Sequence, residues 1–261
     1  MSKAFPTVGI IGAGQLARMS VAPAAALGVN LILFAESPSD SGAQICGHVL
    51  GDYKNLSQLK EFAKNCDVIT FEHELVPLSV IKGLEADGAR VYPSSSAFEF
   101  SQNKAAMRKR LAGMPAPKSQ LITDASAVTE FPVIAKKISG GYDGRGVWKV
   151  ESPDHLAEIL KENATLLIEE LIDFDSEVAV MVARSAHGQA TSWAPTQTVQ
   201  EGGICTLTIT PAPGLSDELC VQAQALALEI AEEVGLVGVM AVEMFVKGSD
   251  LYINELAMRA H

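Results

Sequence analysis

The sequence predicts a mixed fold of the α/β and α+β classes, in which a doubly wound parallel sheet precedes a small lid and an antiparallel sheet. Three observations support this prediction. Short apolar runs alternate with helical segments over residues 1–97, a glycine-rich loop lies between two apolar runs near residue 140, and alternating runs joined by a short turn end the chain. Alternation of strands and helices is typical of parallel sheets, and strands joined by short turns are typical of antiparallel ones.

The first region contains four predicted strands separated by helices. The strands are residues 8–11, 30–35, 68–71 and 90–92, and the helices are residues 15–27, 56–65 and 78–86. A helix over residues 98–111 follows, with four basic residues, Lys104, Arg108, Lys109 and Arg110. A charged helix of this kind is most often a solvated face. We expect an N-terminal domain over 1–97 and a second domain over 98–261.

The second domain divides at its prolines and turns into a lid over about 116–172 and a core over about 173–261. The lid contains strands 131–135, 147–150 and 166–170 and a helix over 153–162. In the core, strands 177–184 and 206–210 precede a helix over 217–234 and a hairpin of strands 237–246 and 251–255. The pattern therefore predicts a two-layer lid on an antiparallel core.

Charge and composition exclude several classes of function. The formal net charge is −11 and 48% of residues are hydrophobic, so the basic surface of a nucleic-acid-binding protein is not expected. No apolar run approaches the length of a membrane span or a signal peptide. The four cysteines show no metal-binding spacing, which indicates reduced thiols and a cytoplasmic protein.

A glycine-rich loop from Ser139 to Gly146 is the segment with the clearest chemical signal. It holds four glycines, follows Lys136 and Lys137, and contains Arg145. Glycines let a backbone approach a polyanion closely, while Lys and Arg supply positive charge matched to phosphate. A plain glycine-rich hairpin turn is the alternative, but it does not require these cations. We interpret the loop as a cover for phosphates.

Several motifs in order along the chain carry a family resemblance. They are the loop after Lys136, residues 12–19 (Gly-Ala-Gly-Gln-Leu-Ala-Arg-Met), 70–74 (Thr-Phe-Glu-His-Glu), 237–243 (Val-Gly-Val-Met-Ala-Val-Glu) and 253–259 (Ile-Asn-Glu-Leu-Ala-Met-Arg). Together they resemble the N5-carboxyaminoimidazole ribonucleotide synthetases, ATP-grasp enzymes of purine biosynthesis. The resemblance implies a pre-ATP-grasp domain followed by an ATP-grasp domain. It also implies a carboxylate-amine ligase that carboxylates 5-aminoimidazole ribonucleotide through carboxyphosphate, using ATP, bicarbonate and Mg²⁺, and that is typically a homodimer.

The resemblance assigns roles to residues of this chain. The residues that it implies for ATP are Lys104, Lys136, Gly141, Tyr142, Asp143, Gly144, Arg145, Gly146, Glu169, Glu170, Leu171, Ile172, Glu177, Gln200, Asn254 and Glu255. Tyr142, Asp143, Arg145 and Arg259 are implied to act on the reacting groups. Among the residues implied for ATP, Glu177 matches the family's ribose-contacting acid, the backbone near Leu171 is implied to hold the adenine, and Gln200 stands near a position where many relatives carry histidine. For the ribonucleotide, the implied residues are Gly14, Gln15, Leu16, Glu72, Glu74 and His261.

Glu243 and Glu255 are the predicted metal ligands. Glu243 lies in an apolar strand and Glu255 in the strand that returns beside it, and two facing carboxylates are tolerated when a divalent cation lies between them. A surface hairpin with two solvated acids is the alternative. We expect Lys247 to pair with Leu251 around a three-residue loop, because pairing with Asp250 would place Glu243 opposite Asn254.

Three functional alternatives remain open at this stage. Residues 9–17 also fit a dinucleotide-binding turn, with Glu36 near the position of a ribose-binding acid. The chain could also be a formate-dependent purine transformylase, or a nucleotide-binding module without turnover.

The end of the chain departs from the family pattern. Because the family continues with Arg-Pro-His-Asn-Ser-Gly-His where this chain has Arg259, Ala260 and His261, we expect a C-terminal segment to be missing.

Overall fold

The computed structural model describes residues 5–141 and 145–261. The first region is a four-stranded parallel sheet in the order β3-β2-β1-β4. Its strands are β1 (Thr7–Ile11), β2 (Asn30–Ala35), β3 (His48–Leu50) and β4 (Val68–Phe71), and its helices are α1 (Gln15–Ala26), α2 (Leu56–Ala63) and α3 (Leu78–Ala86). The short strand β3 was not predicted. The predicted strand over 90–92 is reduced to one parallel bridge between Val91 and Ile69.

The predicted helix over 98–111 is wrong in its continuity, since the structure has two helices here, α4 (Ser95–Gln102) and α5 (Lys104–Arg110). Asn103 separates them with an extended backbone, and its side chain caps α5 by accepting a hydrogen bond from the Ala106 nitrogen at 3.0 Å. Asparagine favours such caps because its side chain competes with the helical backbone. The helix that follows the break buries Lys104, Met107 and Arg108.

The lid is a four-stranded antiparallel sheet in the order β5-β8-β6-β7 with one helix packed on it. Its elements are β5 (Ser119–Ile122), β6 (Val133–Lys137), β7 (Val147–Val150), α6 (Pro153–Glu162) and β8 (Leu166–Glu170). Buried residues of the sheet and of α6, including Ala135, Ile168 and Leu156, form a separate hydrophobic cluster. The lid therefore has its own core, as predicted for a two-layer unit.

The second domain's core is a six-stranded antiparallel sheet. Five strands run in the order β12-β11-β9-β13-β14, and β10 pairs with β9. Its elements are β9 (Ser176–Arg184), β10 (Ala190–Ser192), β11 (Thr196–Glu201), β12 (Ile204–Ile209), α7 (Asp217–Glu233), β13 (Gly238–Lys247) and β14 (Asp250–Ala257). The predicted fold class, a parallel sheet joined to a lid and an antiparallel core, is confirmed.

Helices α4 and α5 connect the two sheets through one hydrophobic core. Phe98 packs against Phe71 of the parallel sheet, with the ring centroids 4.4 Å apart and the ring planes tilted by 51°. Met107 of α5 belongs to the same buried cluster, which continues to Val180 of β9 and Leu226 of α7. The predicted boundary between the two domains, at residue 97, lies inside α4. Since this cluster is continuous, the parallel sheet is held against the antiparallel core.

The hairpin of β13 and β14 corrects one prediction and retains another. Lys247 pairs with Asp250 around a two-residue turn, so the predicted pairing with Leu251 is wrong. Glu243 nevertheless lies opposite Glu255, because the register shifts between Glu243 and Met244 and skips Asn254. An extra residue on one strand is a β-bulge, which is common beside active sites. The bulge thus brings the two carboxylates into one pair.

Candidate functional site

The candidate site lies where the lid strands β6 and β8 meet β14 and α5. Lys136 of β6 is 4% exposed. Its Nζ lies 2.8 Å from Glu169 Oε2 and 3.0 Å from Asn254 Oδ1. These contacts tie the lid sheet to the core sheet through one ammonium group. A buried ammonium at this junction can neutralise phosphate oxygens that enter between the two sheets.

Arg108 is a central residue of the site that the sequence reasoning placed on a solvated face. It is 9% exposed, and its Nε lies 2.6 Å from Glu169 Oε1. Its two terminal nitrogens donate to the backbone oxygens of Ile253 at 2.9 Å and Asn254 at 3.0 Å. Arg108 follows Lys104 by four residues and so lies on the same face of α5, a spacing that could have identified Arg108 as well.

Glu169 is the counterion of two buried cations, Lys136 and Arg108. It is 2% exposed, with one cation on each carboxylate oxygen. Burial raises the pKa of Glu169, but Lys136 and Arg108 outweigh it and hold the pKa below its usual value. The side chain is therefore ionised and engaged, so only the backbone of Glu169 is available for the nucleotide contact predicted from the sequence.

Glu243 and Glu255 form a carboxylate pair beside Lys104. Lys104 Nζ lies 2.5 Å from Glu255 Oε1 and is nearly buried. Burial, followed by repulsion from Glu255, raises the pKa of Glu243 to about 7. Burial acts on Glu255 as well, but Lys104 and Lys136 lower its pKa. Glu255 thus has a cation beside it, whereas the negative charge of Glu243 is not fully compensated by the cations around it.

This donor set fits a divalent cation. Magnesium prefers carboxylate oxygens and is usually held by one or two of them together with phosphate oxygens. A cation beside Glu243 would remove the repulsion that raises its pKa. Over residues 5–141 and 145–261, no group of three or more His, Cys, Asp or Glu side chains has metal-binding geometry. A metal here would therefore depend on the two glutamates and a bound nucleotide.

The predicted adenine and ribose contacts lie along the segment that leaves the lid. Glu177 at the start of β9 hydrogen-bonds to Gln200, and burial raises the pKa of Glu177 despite that bond. The structure thus brings Gln200 to the predicted ribose-contacting acid. Glu170 Oε1 instead accepts from the Lys118 nitrogen at 2.9 Å. Leu171 and Ile172 follow β8 in a connection without regular secondary structure.

The glycine-rich loop is described on both sides of its centre. A Cβ at Gly141 would lie 2.7 Å from the backbone oxygen of Arg145, so only glycine allows the two ends of the loop to approach this closely. The oxygen of Gly146 accepts from the Lys137 nitrogen at 2.8 Å. The predicted residues Tyr142, Asp143 and Gly144 lie outside the described residues, so their roles stay predictions.

Arg259 links the end of β14 to the N-terminal domain. Its Nε lies 2.8 Å from Glu74 Oε2. The other oxygen, Glu74 Oε1, is buried and has no hydrogen-bond partner within the described part of the chain. His261 Nε2 lies 3.5 Å from Glu243 Oε1. Burial and Arg259 lower the pKa of His261 to about 4, so its imidazole is neutral at pH 7.

Glu72 occupies the anion position at the N-terminus of α1. Its carboxylate accepts from the backbone nitrogens of Gly14, of Leu16 at 2.9 Å and of Ala17 at 3.2 Å. The family resemblance implies that this helix start contacts the substrate ribonucleotide, whose phosphate is also an anion. A second anion would be repelled by Glu72 in this arrangement, so the predicted roles of Gly14, Gln15 and Leu16 require Glu72 to move.

Comparisons with known proteins identify both regions of the chain. The ribonucleotide synthetase preATP-grasp domain family matches residues 5–102, and the ATP-grasp domain family matches residues 108–261. Within the described residues, no helix is long and apolar enough to span a membrane.

Named relatives agree with these matches. The N5-carboxyaminoimidazole ribonucleotide synthase of Mycobacterium tuberculosis is 42% identical, and the alignment covers 98% of this chain and 63% of the relative. That of Corynebacterium ammoniagenes is 36% identical, over 98% of this chain and 67% of the relative. This chain therefore spans about two thirds of the length of these relatives.

A solved structure shares the fold. The N5-carboxyaminoimidazole synthase of Aspergillus clavatus, in complex with ADP and 5-aminoimidazole ribonucleotide, aligns with a TM-score of 0.85 at 29% identity, covering 99% of this chain and 71% of that one. Because the ATP-grasp family matches more than half of this chain, and synthases named for one reaction match nearly all of it, the chain belongs to the ATP-grasp family, within the group of N5-carboxyaminoimidazole ribonucleotide synthases.

Proposed function

We propose that this protein catalyses the ATP-dependent carboxylation of 5-aminoimidazole ribonucleotide by bicarbonate. The observation that carries the proposal is the meeting of Lys136, Lys104 and Asn254 with the paired carboxylates of Glu243 and Glu255 at the junction of lid and core. Relatives named for this reaction match 98% of the chain. A relative with the same fold is complexed with ADP and 5-aminoimidazole ribonucleotide.

The first step forms carboxyphosphate. A bicarbonate oxygen attacks the γ-phosphorus of ATP, the bond from that phosphorus to the bridging oxygen breaks, and ADP leaves. Phosphoryl transfer of this kind depends mainly on positioning and on charge neutralisation. Lys136 supplies a fixed positive charge because Glu169 and Asn254 hold its ammonium in place. Lys104 and Arg145 are the further cations in this proposal.

The second step transfers the carboxyl group. The exocyclic amine of the ribonucleotide attacks the carboxyl carbon, or the CO₂ that carboxyphosphate releases, and the amine loses a proton as phosphate departs. We assign Arg259 to the bicarbonate and phosphate side of this step, as well as Tyr142 and Asp143 of the loop. Arg259 is oriented by Glu74 at 2.8 Å, so Glu74 would position it for this role.

Magnesium is the metal that we propose for the carboxylate pair. Bound there, it would neutralise charge on the nucleotide phosphates. Glu243 and Glu255 would hold it, because they face each other across the hairpin. Asn254 directs its side-chain oxygen to Lys136 at 3.0 Å and would position that lysine.

The contacts to the rest of ATP follow the segment that leaves the lid. We propose that the backbone of Glu169, Glu170, Leu171 and Ile172 receives the adenine, while Glu177 and Gln200 receive the ribose. The typical homodimer and cytoplasmic location of the family stay predictions for this protein.

The test is an ADP-release assay with purified protein, ATP and Mg²⁺. We expect release to require both bicarbonate and 5-aminoimidazole ribonucleotide, with the carboxylated ribonucleotide as the second product. Release that depends on formate in place of bicarbonate would instead identify a transformylase. If the protein bound ADP but showed no turnover with any donor, the proposed activity would be refuted and a nucleotide-binding role would remain.

A further inference from the structure

Arg108 is a buried charged residue that the proposed reaction does not use directly. It contacts two different parts of the site, the lid strand β8 through Glu169 and the core strand β14 through the backbone oxygens of Ile253 and Asn254. A guanidinium presents its N–H groups in a rigid planar fork, so it can hold three acceptors in one fixed arrangement. Arg108 therefore fixes the lid relative to the core at one point.

The two backbone oxygens belong to the bulge of β14. Asn254 is the residue that the pairing with β13 skips. Buried backbone groups without partners are costly, so a bulge needs donors and acceptors from elsewhere. Arg108 supplies two donors, and the oxygen of Pro115 accepts from the Ile253 nitrogen at 2.9 Å. These contacts satisfy backbone groups along the outer edge of β14, which is the last strand of its sheet.

The bulge determines which side chains face the site. With the observed shift, Glu243 lies opposite Glu255, and the Asn254 side chain reaches Lys136 at 3.0 Å. Without it, the two-residue turn would continue in register and place Glu243 opposite Asn254. The contacts of Arg108 thus stabilise the register that forms the site.

Arg108 also determines how strongly Glu169 holds Lys136. Each oxygen of Glu169 has its own cation, Arg108 at 2.6 Å and Lys136 at 2.8 Å. If Arg108 were absent, Lys136 would be the only cation paired with Glu169 among the described residues. If Lys136 alone must neutralise Glu169, its ammonium group is held more strongly by that carboxylate and interacts less strongly with a phosphate.

We propose that Arg108 is a positioning residue for nucleotide phosphates, which it serves by holding the β14 bulge and by sharing the charge of Glu169 with Lys136. This inference rests on the proposed function, because it takes Lys136 as a phosphate contact. It assigns no direct contact between Arg108 and ATP. The effect of Arg108 should therefore be larger on binding of the phosphates than on binding of the nucleoside.

The test compares the dissociation constants of ADP and adenosine, measured by calorimetry and by competition, in the Arg108→Met, Arg108→Lys and Arg108→Met/Glu169→Gln variants. The matched control is Lys109→Met, an exposed residue on the same helix. We expect Arg108→Met to weaken ADP binding on the order of tenfold to a hundredfold, since charged hydrogen bonds have this magnitude, and to weaken adenosine binding much less. The control should match the wild type.

The double variant distinguishes a positioning role of Arg108 from a purely structural one. Removing the charge of Glu169 releases Lys136, so Arg108→Met/Glu169→Gln should recover part of the lost ADP affinity while its melting temperature stays low. Equal losses for ADP and adenosine, or a lower melting temperature with unchanged ADP affinity, would show that Arg108 is only structural. Failure of the wild type to bind ADP would refute the proposed function instead.

The conservative variant keeps the test decisive if Arg108→Met does not fold. A lysine can neutralise Glu169 but cannot hold both backbone oxygens as the planar fork does. We then expect Arg108→Lys to weaken ADP binding severalfold more than adenosine binding. Wild-type ADP affinity in Arg108→Lys would overturn the role assigned to the bulge contacts.

Discussion

Glu72 Oε1 lies 2.9 Å from the backbone nitrogen of Leu16, so a carboxylate at the end of β4 caps the first turn of α1. The residue at the helix start, Gly14, offers no side chain for this purpose. Helix N-termini attract anions because their amides are unpaired and the helix dipole is positive there. A carboxylate distant in sequence thus does what a capping side chain would ordinarily do.

Replacing Glu72 by Ala should destabilise the protein. We expect the free energy of unfolding to fall by about 0.5–2 kcal/mol, the range for loss of a helix cap, in urea titrations followed by circular dichroism. Glu61→Ala, at an exposed glutamate of α2, is the control and should change it by less than about 0.5 kcal/mol. Equal effects of the two substitutions would exclude a capping role for Glu72.

Replacing Lys136 by Ala should impair the use of ATP. Loss of one such charge costs about 2–4 kcal/mol of transition-state stabilisation, measured as kcat/KM for ATP. Since Lys136 is paired with a buried carboxylate, we also expect a lower melting temperature. Lys149→Ala, at an exposed lysine of β7, should change neither quantity. Unchanged ATP kinetics in a folded Lys136→Ala protein would remove the phosphate role.

Without metal, stability should depend on the ionisation of Glu243. Burial and Glu255 raise its pKa from 4.5 to about 7. Between these two pH values, the folded protein keeps a proton on Glu243 that the unfolded chain releases. The free energy of unfolding should therefore fall as the pH rises from 4.5 to 7, and level off above it. Glu243→Gln should reduce this decline in EDTA, whereas Glu158→Gln, at an exposed glutamate, should not. An identical decline in all three proteins would contradict the assignment.

Magnesium should stabilise the ADP complex through the carboxylate pair. Ligand binding to the folded state adds about 2.7 kcal/mol when the ligand is at a hundredfold excess over its Kd. We expect Mg²⁺ with ADP to raise the melting temperature above that with ADP alone, and Glu243→Gln to abolish the increment. NaCl at matched ionic strength should not reproduce it. An undiminished Mg²⁺ increment in the variant would place the metal elsewhere.

The four cysteines are free and should differ in reactivity. Burial raises the pKa of the Cys66 thiol to about 11, while Cys205 is exposed on β12. Because the thiolate is the reactive form, Cys205 should react with a disulfide reagent at pH 8 well before Cys66. Cys205→Ser should remove a fast phase of the reaction. A fast phase that persists in this variant and is lost in Cys66→Ser would contradict the order.

The sequence by itself was sufficient for the fold class and for several members of the site. Apolar periodicity and turn residues located most strands and helices, because these signals are local. The glycine loop beside Lys136 and the two acids of the hairpin were likewise visible. Their chemistry depends on residue type and spacing, which the sequence displays directly.

Only the tertiary structure decided how these residues meet. The turn at Lys247 and Asp250 by itself predicts the wrong facing of Glu243, and the bulge at Asn254 restores its pairing with Glu255. Arg108 was mistaken for a solvated residue because charge along a helix does not reveal which face is buried. Its contacts with Glu169 and β14 join positions separated by 61 to 146 residues. Such register shifts and buried ion pairs depend on long-range packing, so local sequence patterns do not specify them.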